Sequence, residues 1–400
     1  MRWPIGKVTK YLIVKSRFLV VSLYFIYLIT ACSTKIDEQN QFELVTADDS
    51  GLHFINGPEP SQYFNAFNFM YFYNGGGVAV GDFNNDGLQD IFFTANLGHN
   101  KMFLNKGDFK FEDVTEQAGM QGIEGWTTGT TVVDINNDNM LDLYVCQIGE
   151  YATIRGKNQL YICKGIKDGV PYYEDQAEKY KLDFATFSTQ ASFFDYDLDN
   201  DLDMFLMNYS LHQNGTFGQR WTFFDMQHPT SGDKLMRNDD GVYTDVTKES
   251  GIYSMVIGYG LGLATSDFNL DGWPDIYIGN DFHENDYLYI NNGDGTFKKE
   301  ITSQMMHTSR FTMGVDVGDI NNDGLIDIFS LDMLPEDPII LKSSLGEDEL
   351  GVFNFKLGYG YNHQYARNNL QLNNGNGTFS EIGMYAGVEA SDWSWTPLLF

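Results

Sequence analysis

The stretch DFNNDGLQD, residues 82–90, decides how this sequence is interpreted. It places acidic or amide side chains at positions 1, 3 and 5, a glycine at position 6 and a carboxylate at position 9. The pattern returns as DINNDNMLD, DYDLDNDLD, DFNLDGWPD and DINNDGLID at residues 134–142, 195–203, 267–275 and 319–327. We call these stretches acidic loops 1 to 5. A pattern that returns every several tens of residues is typical of propellers, solenoids and arrays.

Each acidic loop has the same neighbours in the chain. A segment of small and β-branched residues precedes it, as in GGGVAVG, and an apolar segment follows it, as in IFFTAN. A third segment ends near Asn-Gly turn residues, and a fourth, such as FEDVT, completes the unit. Four short antiparallel strands joined by hairpins make one propeller blade. A two-sheet sandwich would not repeat the same hairpin loop, so we predict an all-β chain that forms a β-propeller of four-stranded antiparallel blades.

The two ends of the repeated region do not form whole blades. Residues 42–54 match the fourth strand at residues 111–119 but have no blade of their own. Residues 393–400 look like the first strand of a sixth blade. We therefore expect five full blades and the start of a sixth across residues 42–400, as an N-terminal portion of a longer protein.

The acidic loops have the chemistry of a cation site. Position 6 requires a sharp turn, often with positive φ, which suits Gly87, Gly272 and Gly324 and also Asn139 and Asn200. Oxygen ligands in a flexible shell suit Ca²⁺ better than Mg²⁺. The loops contain no His or Cys, so zinc is not expected. The predicted ligands are the side chains at positions 1, 3, 5 and 9: Asp82, Asn84, Asp86, Asp90, Asp134, Asn136, Asp138, Asp142, Asp195, Asp197, Asp199, Asp203, Asp267, Asn269, Asp271, Asp275, Asp319, Asn321, Asp323 and Asp327.

These loops are not EF-hands, because position 12, counted from Asp82 as position 1, is Phe93 and strands flank the loop. They resemble the calcium loops of integrin α-subunit propellers, and the whole repeat resembles the FG-GAP or VCBS repeat family over about residues 42–400. That resemblance implies about five bound Ca²⁺ ions, one per loop, and seven blades in the full protein. Acidic loop 3 departs from the pattern, with Asp197 in place of Asn and an additional Asp201. We expect it to bind most tightly.

The net charge of −30, from 25 Lys+Arg and 55 Asp+Glu, disfavours nucleic acid as a partner. The first 31 residues look like a secretion signal: a basic start is followed by the apolar run FLVVSLYFIYLIT. The following ITAC resembles a bacterial lipobox, which implies cleavage before Cys32 and lipid attachment to it. An ordinary secretion signal or a membrane anchor is the alternative. We expect a short tether at residues 32–41 and an outer-membrane lipoprotein, exposed at the cell surface, whose only membrane contact is its lipid.

Two further cysteines, Cys146 and Cys163, lie on strands expected to be neighbours in one blade. In an oxidising compartment they could form a disulfide. Two buried thiols are the other interpretation.

Two long insertions lie at the end of the blades opposite the acidic loops, at residues 208–232 and 332–369. Long ordered loops often carry function. Aromatic and imidazole side chains suited to stacking on a glycan or anchoring a protein ligand define a candidate ligand face: Trp221, His283, Tyr359, Tyr361, His363 and Tyr365. Packing of the insertions on each other or on further blades is the alternative.

The function predicted from the sequence is binding. A lipid-tethered, calcium-stabilised propeller would display a face that recognises a glycan or a protein at the cell envelope. A polysaccharide lyase is one alternative, with Asp281, His283, Glu284 and Asp332 gathered near the axis, although no catalytic signature is present. A scaffold that presents downstream domains is the other.

Overall fold

The computed structural model of this chain describes residues 43–120, 125–210, 218–224, 226–344 and 346–399. The chain divides into two compact units, Met1–Thr46 and Ala47–Phe400. Of the first unit only residues 43–46 are described, and they form no helix or strand. The predicted signal peptide, the tether and Cys32 lie outside the described residues. Within the described ranges, no helix combines the length and the apolar character needed to cross a bilayer.

Five four-stranded sheets, all antiparallel, make up the second unit. Sheet 1 contains β1 (Val78–Gly81), β2 (Asp90–Phe93), β3 (Lys101–Asn105) and β4 (Phe111–Asp113), and sheet 2 contains β5 (Thr127–Val133), β6 (Asp142–Gln147), β9 (Gln159–Lys167) and β10 (Val170–Asp175). Sheet 3 contains β11 (Ser188–Phe194), β12 (Asp203–Asn208), β13 (Lys234–Asp239) and β14 (Val242–Asp245). Sheet 4 contains β15 (Gly260–Ser266), β16 (Asp275–Asn280), β17 (Tyr287–Asn291) and β18 (Phe297–Lys299). Sheet 5 contains β20 (Gly314–Gly318), β21 (Asp327–Leu331), β23 (Asn369–Asn373) and β24 (Phe379–Glu381). The prediction of an all-β chain built from four-stranded antiparallel units is confirmed.

The remaining elements are short. β7 (Glu150–Tyr151) and β8 (Ile154–Arg155) form a small hairpin, and β19 (Thr308–Ser309) pairs in parallel with β22 (Gln364–Tyr365). The described helices are α1 (Ala47–Ser50), α2 (Ala177–Tyr180), α3 (Ile301–Gln304), α4 (Pro338–Leu341), α5 (Leu350–Gly358), α6 (Gly383–Ala386) and two 3₁₀ turns at Met70–Tyr73 and Arg220–Phe223. Helices α4 and α5 lie in the second long insertion, where the sequence predicted only loop.

The first strands of consecutive sheets pack side by side: β1 on β5, β5 on β11, β11 on β15 and β15 on β20. Their side-chain hydroxyls join one sheet to the next. Thr131 donates to the carbonyl of Ala191 at 2.7 Å, and Thr189 donates to the carbonyl of Gly260 at 3.0 Å. A side chain at Gly129 would lie 2.3 Å from the carbonyl oxygen of Thr189, so this close approach requires glycine.

The apolar core lies between the sheets. One buried cluster joins sheets 1 and 2, a second joins sheets 2 and 3, a third joins sheets 3 and 4, and a fourth joins sheets 4 and 5. The strands β6, β12 and β16 are buried at every residue. Because each of them is covered on both faces, they have continuous apolar sequences such as YVC and MFLM rather than strict alternation.

An aromatic segment at residues 64–73 packs beside sheets 2, 3 and 4. Phe64, Phe69 and Phe72 are buried in one cluster with Trp126, which precedes β5, and Tyr209, which follows β12, and Leu261 of β15 packs against this cluster. Phe69 and Trp126 also border a cavity of about 320 Å³ beside the first strands. The sequence analysis did not single out this segment, because it lies outside the repeated pattern.

The two ends of the unit are only partly as predicted. Residues 43–46 form no strand, but Ala47–Ser50 and Gly51 form the short helix and left-handed glycine that follow a fourth strand elsewhere, as at Gly383–Ala386 and Gly387. Residues 391–399 also form no strand. They nevertheless lie beside β20, where the Leu399 N–H donates to Asp316 at 2.7 Å.

Cys146 and Cys163 are both free and buried. Cys146 lies in the core between sheets 2 and 3, whereas Cys163 lies in the core between sheets 1 and 2. The two thiols therefore face opposite sides of the same sheet and cannot form a disulfide. Of the two interpretations of the sequence, buried thiols is correct.

Candidate metal loops and insertion surface

Every acidic loop connects the first and second strands of its sheet. Position 1 follows the last residue of the first strand, and position 9 is the first residue of the second strand, as Asp82 follows β1 and Asp90 begins β2. Antiparallel order places these loops at the same end of the sheets as the turns between third and fourth strands. The two long insertions join second to third strands and therefore lie at the opposite end, as predicted.

The five loops have left-handed backbone at the same two positions. The prediction of positive φ at position 6 is confirmed at Gly87, Asn139, Asn200, Gly272 and Gly324. Position 4 is also left-handed in every loop, which the sequence analysis missed. The residues at position 4 are Asn85, Asn137, Leu198, Leu270 and Asn322.

The carboxylate at position 1 accepts hydrogen bonds from the backbone of its own loop. In acidic loop 4, Asp267 accepts hydrogen bonds from the backbone N–H groups of Asp271 at 3.1 Å and Gly272 at 2.7 Å. The same two bonds are present in the other four loops. Position 1 is half-buried and position 5 is exposed in all five loops. The position 1 carboxylate thus lies against the loop backbone, whereas the position 5 carboxylate is exposed to solvent.

The carboxylate at position 9 lies at the base of each loop and is fully buried. In acidic loop 4, Asp275 accepts from the N–H of Phe268 at 2.9 Å and from the N–H of Asn291 at 2.8 Å. Burial, with a smaller contribution from the like charges at positions 5 and 1, raises the pKa of Asp275 to about 7. Burial likewise raises the pKa of Asp203 to about 7 and that of Asp142 to about 6, and it raises the pKa of Asp90 and Asp327.

Acidic loop 3 shows most directly that the side chains fit one ion. Oxygens of Asp195, Asp197 and Asp203 lie within 4.8 Å of one another. Two oxygens that share a Ca²⁺ at about 2.3–2.6 Å lie at most about 5 Å apart, so this spacing fits. Oδ1 of Asp197 is buried and has no hydrogen-bond partner in the protein. A cation would satisfy this oxygen and reduce the repulsion among the three carboxylates.

In acidic loops 1, 3 and 4, the side chain at position 2 packs between its own sheet and the following one. The side chains of Phe83, Tyr196 and Phe268 are buried, and each belongs to the core that its own sheet shares with the next one. Tyr196 stacks on Phe297 of sheet 4 with a ring separation of 5.9 Å. The loops therefore contribute to packing between sheets as well as presenting oxygens.

The two long insertions pack on each other. The N–H of Arg220 donates to the carbonyl of Tyr359 at 2.8 Å, and the hydroxyl of Tyr361 donates to the carbonyl of Gly218 at 3.1 Å. The ring of Trp221 lies over Gly360. This mutual packing was one of the two interpretations of the sequence.

The predicted ligand face is only partly exposed. Trp221 is 49% exposed, whereas Tyr361 is 3% and His283 is 8% exposed. The imidazole of His283 lies edge-on to Tyr361, with ring centres 5.4 Å apart. Tyr359 is half-buried and packs on Phe355 of α5.

His363 and Tyr365 form a second group with helix α5. The ring of Phe353 lies 5.7 Å from His363 and 6.0 Å from Tyr365. Tyr365 also packs edge-on to His307 at 5.0 Å. The structure thus divides the six candidate residues between two aromatic groups.

The carboxylates considered for a lyase each have partners within the protein. Asp281 accepts from the hydroxyl of Tyr71 at 3.0 Å, and Asp332 accepts from the hydroxyl of Ser309 at 2.5 Å. Glu284 pairs with Arg220 at 2.7 Å. These interactions hold the side chains in the fold.

A second repeated polar position was missed. The residue before each third strand accepts a hydrogen bond from the backbone N–H near the end of the second strand, as Asp286 does from Asn280 at 2.8 Å. This residue is Asn100, Asn158, Asp233, Asp286 or Asn368 in sheets 1 to 5. Aligning the repeats on the third strands would have revealed it.

With the loops described, the relation to known proteins can be stated. A family model described as an FG-GAP-like repeat matches residues 82–145 and 267–330. The chain contains FG-GAP-like repeats. Each FG-GAP-like match begins at position 1 of an acidic loop and includes the next loop, whereas acidic loop 3, the one with the extra aspartates, lies between the matches.

The curated proteins that match this chain are distant relatives. Cartilage acidic protein 1 of Xenopus tropicalis is 26% identical over 207 residues, which is 52% of this chain and 29% of that protein. The Homo sapiens protein of the same name is 24% identical over 203 residues, which is 48% of this chain and 29% of that protein. The match thus spans about 29% of the length of these relatives.

Solved structures show weaker similarity. A lectin from Agrocybe aegerita that recognises non-reducing terminal N-acetylglucosamine has a TM-score of 0.40 and 14% identity, covering 76% of this chain and 64% of the lectin. A GH43_1 enzyme from Xanthomonas citri has a TM-score of 0.29 and 10% identity, covering 63% of this chain and 80% of the enzyme. TM-scores this low do not establish a common fold.

Proposed function

We propose that the five sheets belong to a calcium-stabilised β-propeller that serves as a binding module. The proposal is carried by one observation: five loops share left-handed residues at positions 4 and 6, a half-buried carboxylate at position 1 and a fully buried carboxylate at position 9. The FG-GAP-like matches and the side-by-side packing of first strands support it. Each sheet would be one blade.

Bound Ca²⁺ would neutralise the clustered oxygens at positions 1, 3, 5 and 9 and so favour the folded state. The residues of the chain prepare the site. Backbone N–H groups orient the position 1 and position 9 carboxylates, and left-handed residues at positions 4 and 6 turn the chain around the centre. Because the position 9 carboxylates are buried beside like charges, the cation-free fold carries a cost that an ion removes.

Removal of calcium tests this function. We expect EDTA to lower the melting temperature by about 10 °C or more, since several linked sites would each contribute. Added Ca²⁺ should restore it, whereas Mg²⁺ at the same concentration should restore it less. An identical melting curve with EDTA and with Ca²⁺, together with absence of calcium in well-folded protein, would contradict the proposal.

The recognition surface would be the joined insertions. Trp221 is half-exposed beside a buried ion pair, so an aromatic platform lies on rigid support. The expected ligand is a glycan or a protein. Glycan-array binding by the full-length protein that is lost in Trp221→Ala would support this surface, and unchanged binding would contradict it. Roles as a scaffold or as a lyase remain the alternatives, and release of unsaturated sugars would indicate the lyase.

We also propose that the chain is anchored in the outer membrane through lipid on Cys32. Support comes from the sequence alone, since the segment lies outside the described residues. In a Gram-negative host, palmitate labelling should be lost in Cys32→Ala and retained in Cys146→Ala, whose thiol is buried. Labelling that persists in Cys32→Ala would contradict the anchor.

A further inference from the structure

A continuous series of hydrogen bonds connects the acidic loops of sheets 3, 4 and 5. It begins at Asp203, position 9 of acidic loop 3, which accepts from the N–H of Tyr196 at 3.0 Å. The carbonyl of Tyr196 accepts from the side-chain amide of Asn291 in sheet 4 at 2.8 Å. The backbone N–H of Asn291 donates in turn to Asp275, position 9 of acidic loop 4, at 2.8 Å.

The series continues into sheet 5 with the same geometry. Asp275 accepts from the N–H of Phe268 at 2.9 Å. The carbonyl of Phe268 accepts from the side-chain amide of Asn373 at 2.8 Å, and the N–H of Asn373 donates to Asp327 at 2.8 Å. Three fully buried carboxylates, one at the base of each loop, are thus joined through two buried asparagines.

The series does not include acidic loops 1 and 2. In sheet 2 the equivalent of Asn291 is Cys163, which bonds Asp142 through its N–H but has no side-chain amide. In sheet 3 the amide of Asn238 bonds the carbonyl of Leu202 in its own acidic loop at 3.1 Å, as Asn291 and Asn373 also do in theirs, but among the described residues it makes no bond to sheet 2. Within the described residues, acidic loops 3 to 5 therefore form one connected group.

We propose that Asn291 and Asn373 couple cation binding at acidic loops 3, 4 and 5, a proposal that rests on the metal function proposed above. A cation at one loop fixes its position 9 carboxylate and the position 2 peptide bonded to it. Through the asparagine, the neighbouring loop is also held more rigidly. That loop therefore loses less conformational entropy when it binds its own cation, and its affinity rises. Asn291 and Asn373 are positioning residues, because they touch the ligand side chains and not the ion.

The chain provides its own reporter for one loop. Trp273 is position 7 of acidic loop 4. Its backbone N–H donates to the Asp271 carboxylate at 2.9 Å, and its indole ring lies over Gly293. Tb³⁺ replaces Ca²⁺ at oxygen sites and emits when a nearby tryptophan is excited. The emission that disappears in Trp273→Phe then reports binding at acidic loop 4 alone.

The test combines a change in one loop with a reading at another. Asp199→Ala removes the exposed position 5 ligand of acidic loop 3, and Asp86→Ala is the matched change in acidic loop 1. We expect Asp199→Ala to raise the Tb³⁺ midpoint at acidic loop 4 about fivefold, the size of a typical coupling. Asp86→Ala should leave that midpoint unchanged. In an Asn291→Cys background, which gives sheet 4 the residue of sheet 2, Asp199→Ala should no longer shift it.

The outcomes separate coupling from metal binding itself. Equal midpoints with and without Asp199→Ala, or equal shifts from Asp199→Ala and Asp86→Ala, would overturn the coupling while leaving the metal function intact. A shift that persists in Asn291→Cys would also overturn it. Absence of Trp273-dependent emission from folded protein would contradict the metal function and the coupling together. Should Asn291→Cys fail to fold, Asn291→Ala, which keeps the backbone N–H and has no side-chain donor, replaces it in the same comparison.

Discussion

Arg220 and Glu284 form a buried ion pair between the first long insertion and the connection from β16 to β17, with nitrogen–oxygen distances of 2.7 and 2.8 Å. The side chain of Glu284 is fully buried, and that of Arg220 is 10% exposed. The guanidinium also lies over the rings of Phe224 and Tyr253. This pair therefore fixes the base of the insertion surface.

Breaking the pair should be costly. We expect Arg220→Met to lower the free energy of unfolding by about 3–5 kcal/mol, because it leaves the Glu284 carboxylate buried and uncompensated. Lys157→Met, which breaks an exposed pair with Asp183, should cost at most about 1 kcal/mol. Urea unfolding in saturating Ca²⁺ measures both, and similar losses in the two variants would show that the buried pair has no special role.

Replacing the buried position 9 carboxylate by an amide should have little effect on the stability of the cation-free protein and should weaken stabilisation by Ca²⁺. Burial raises the pKa of Asp275 to about 7, so the cation-free fold already disfavours its charge. Asp275→Asn removes the charge but keeps only one acceptor oxygen, and the N–H groups of Phe268 and Asn291 bond different oxygens of the carboxylate, so one of these two hydrogen bonds is lost. We expect the gain from neutralisation and the lost bond to offset each other, so the melting temperature in EDTA should stay within about 3 °C of the parent, and the increase caused by Ca²⁺ should shrink.

Asp294→Asn is the control for that substitution, because Asp294 lies in an exposed turn outside the acidic loops. It should leave the increase caused by Ca²⁺ unchanged. If Asp275→Asn lost stability in EDTA while retaining the full response to Ca²⁺, the assignment of position 9 as a ligand would be wrong.

The cation-free protein should lose stability as the pH rises. Burial raises the pKa of Asp233 from 3.8 to about 8, so between these values the folded chain holds a proton that the unfolded chain has released. This contribution is present at low pH and is lost as the pH rises through the folded pKa. Sheets 1, 2 and 5 carry asparagine at the equivalent place, so Asp233→Asn fits the site. We measure the free energy of unfolding in EDTA at pH 8 minus that at pH 5. Asp233→Asn should increase this difference by at least about 1 kcal/mol over the parent, and an unchanged pH profile would argue against a buried proton on Asp233.

Replacing a left-handed leucine of the acidic loops by asparagine should stabilise the protein. Leu198 has φ of 57°, a conformation that is unfavourable for leucine and well tolerated by asparagine. Asn85, Asn137 and Asn322 occupy the same position in other loops. Leu198→Asn should raise the free energy of unfolding by about 0.5–1 kcal/mol, whereas Leu88→Asn, at position 7, should change it by less than about 0.5 kcal/mol. Destabilisation by Leu198→Asn would show that the leucine contributes contacts of its own.

The repeated pattern in the sequence predicted the sheets because strand, loop and turn recur in register. Positive φ at Gly87 and Asn139 followed from the need for a sharp turn, and the positions of the insertions followed from antiparallel order. Positions 2 and 4 were missed, because their roles depend on the neighbouring sheet and on backbone geometry that no single residue type reveals. Leucine at position 4 in two loops gives no sequence signal of a left-handed residue.

Residues outside the repeat were harder to predict. The aromatic segment at residues 64–73 packs against three sheets that are distant in sequence, so its role depends on tertiary structure alone. Helix α5 lies in an insertion with no counterpart in the other units. The sequence predicts that the two cysteines lie in one sheet, which leaves a disulfide open, and only the face that each one occupies rules it out.

The side chain at position 2 belongs by sequence to one repeat and by packing to the next, as Phe268 of acidic loop 4 packs with Ile328 and Phe379 of sheet 5. A segment that contained one sheet and its own acidic loop would therefore lack the position 2 side chain that the preceding loop contributes to its core. It would also expose its own position 2 side chain, which packs against the following sheet. The smallest exchangeable module is accordingly offset from the visible sheets, running from one acidic loop into the following sheet. Duplication or recombination that respected this offset would preserve packing at both junctions, whereas cuts at sheet borders would disrupt it.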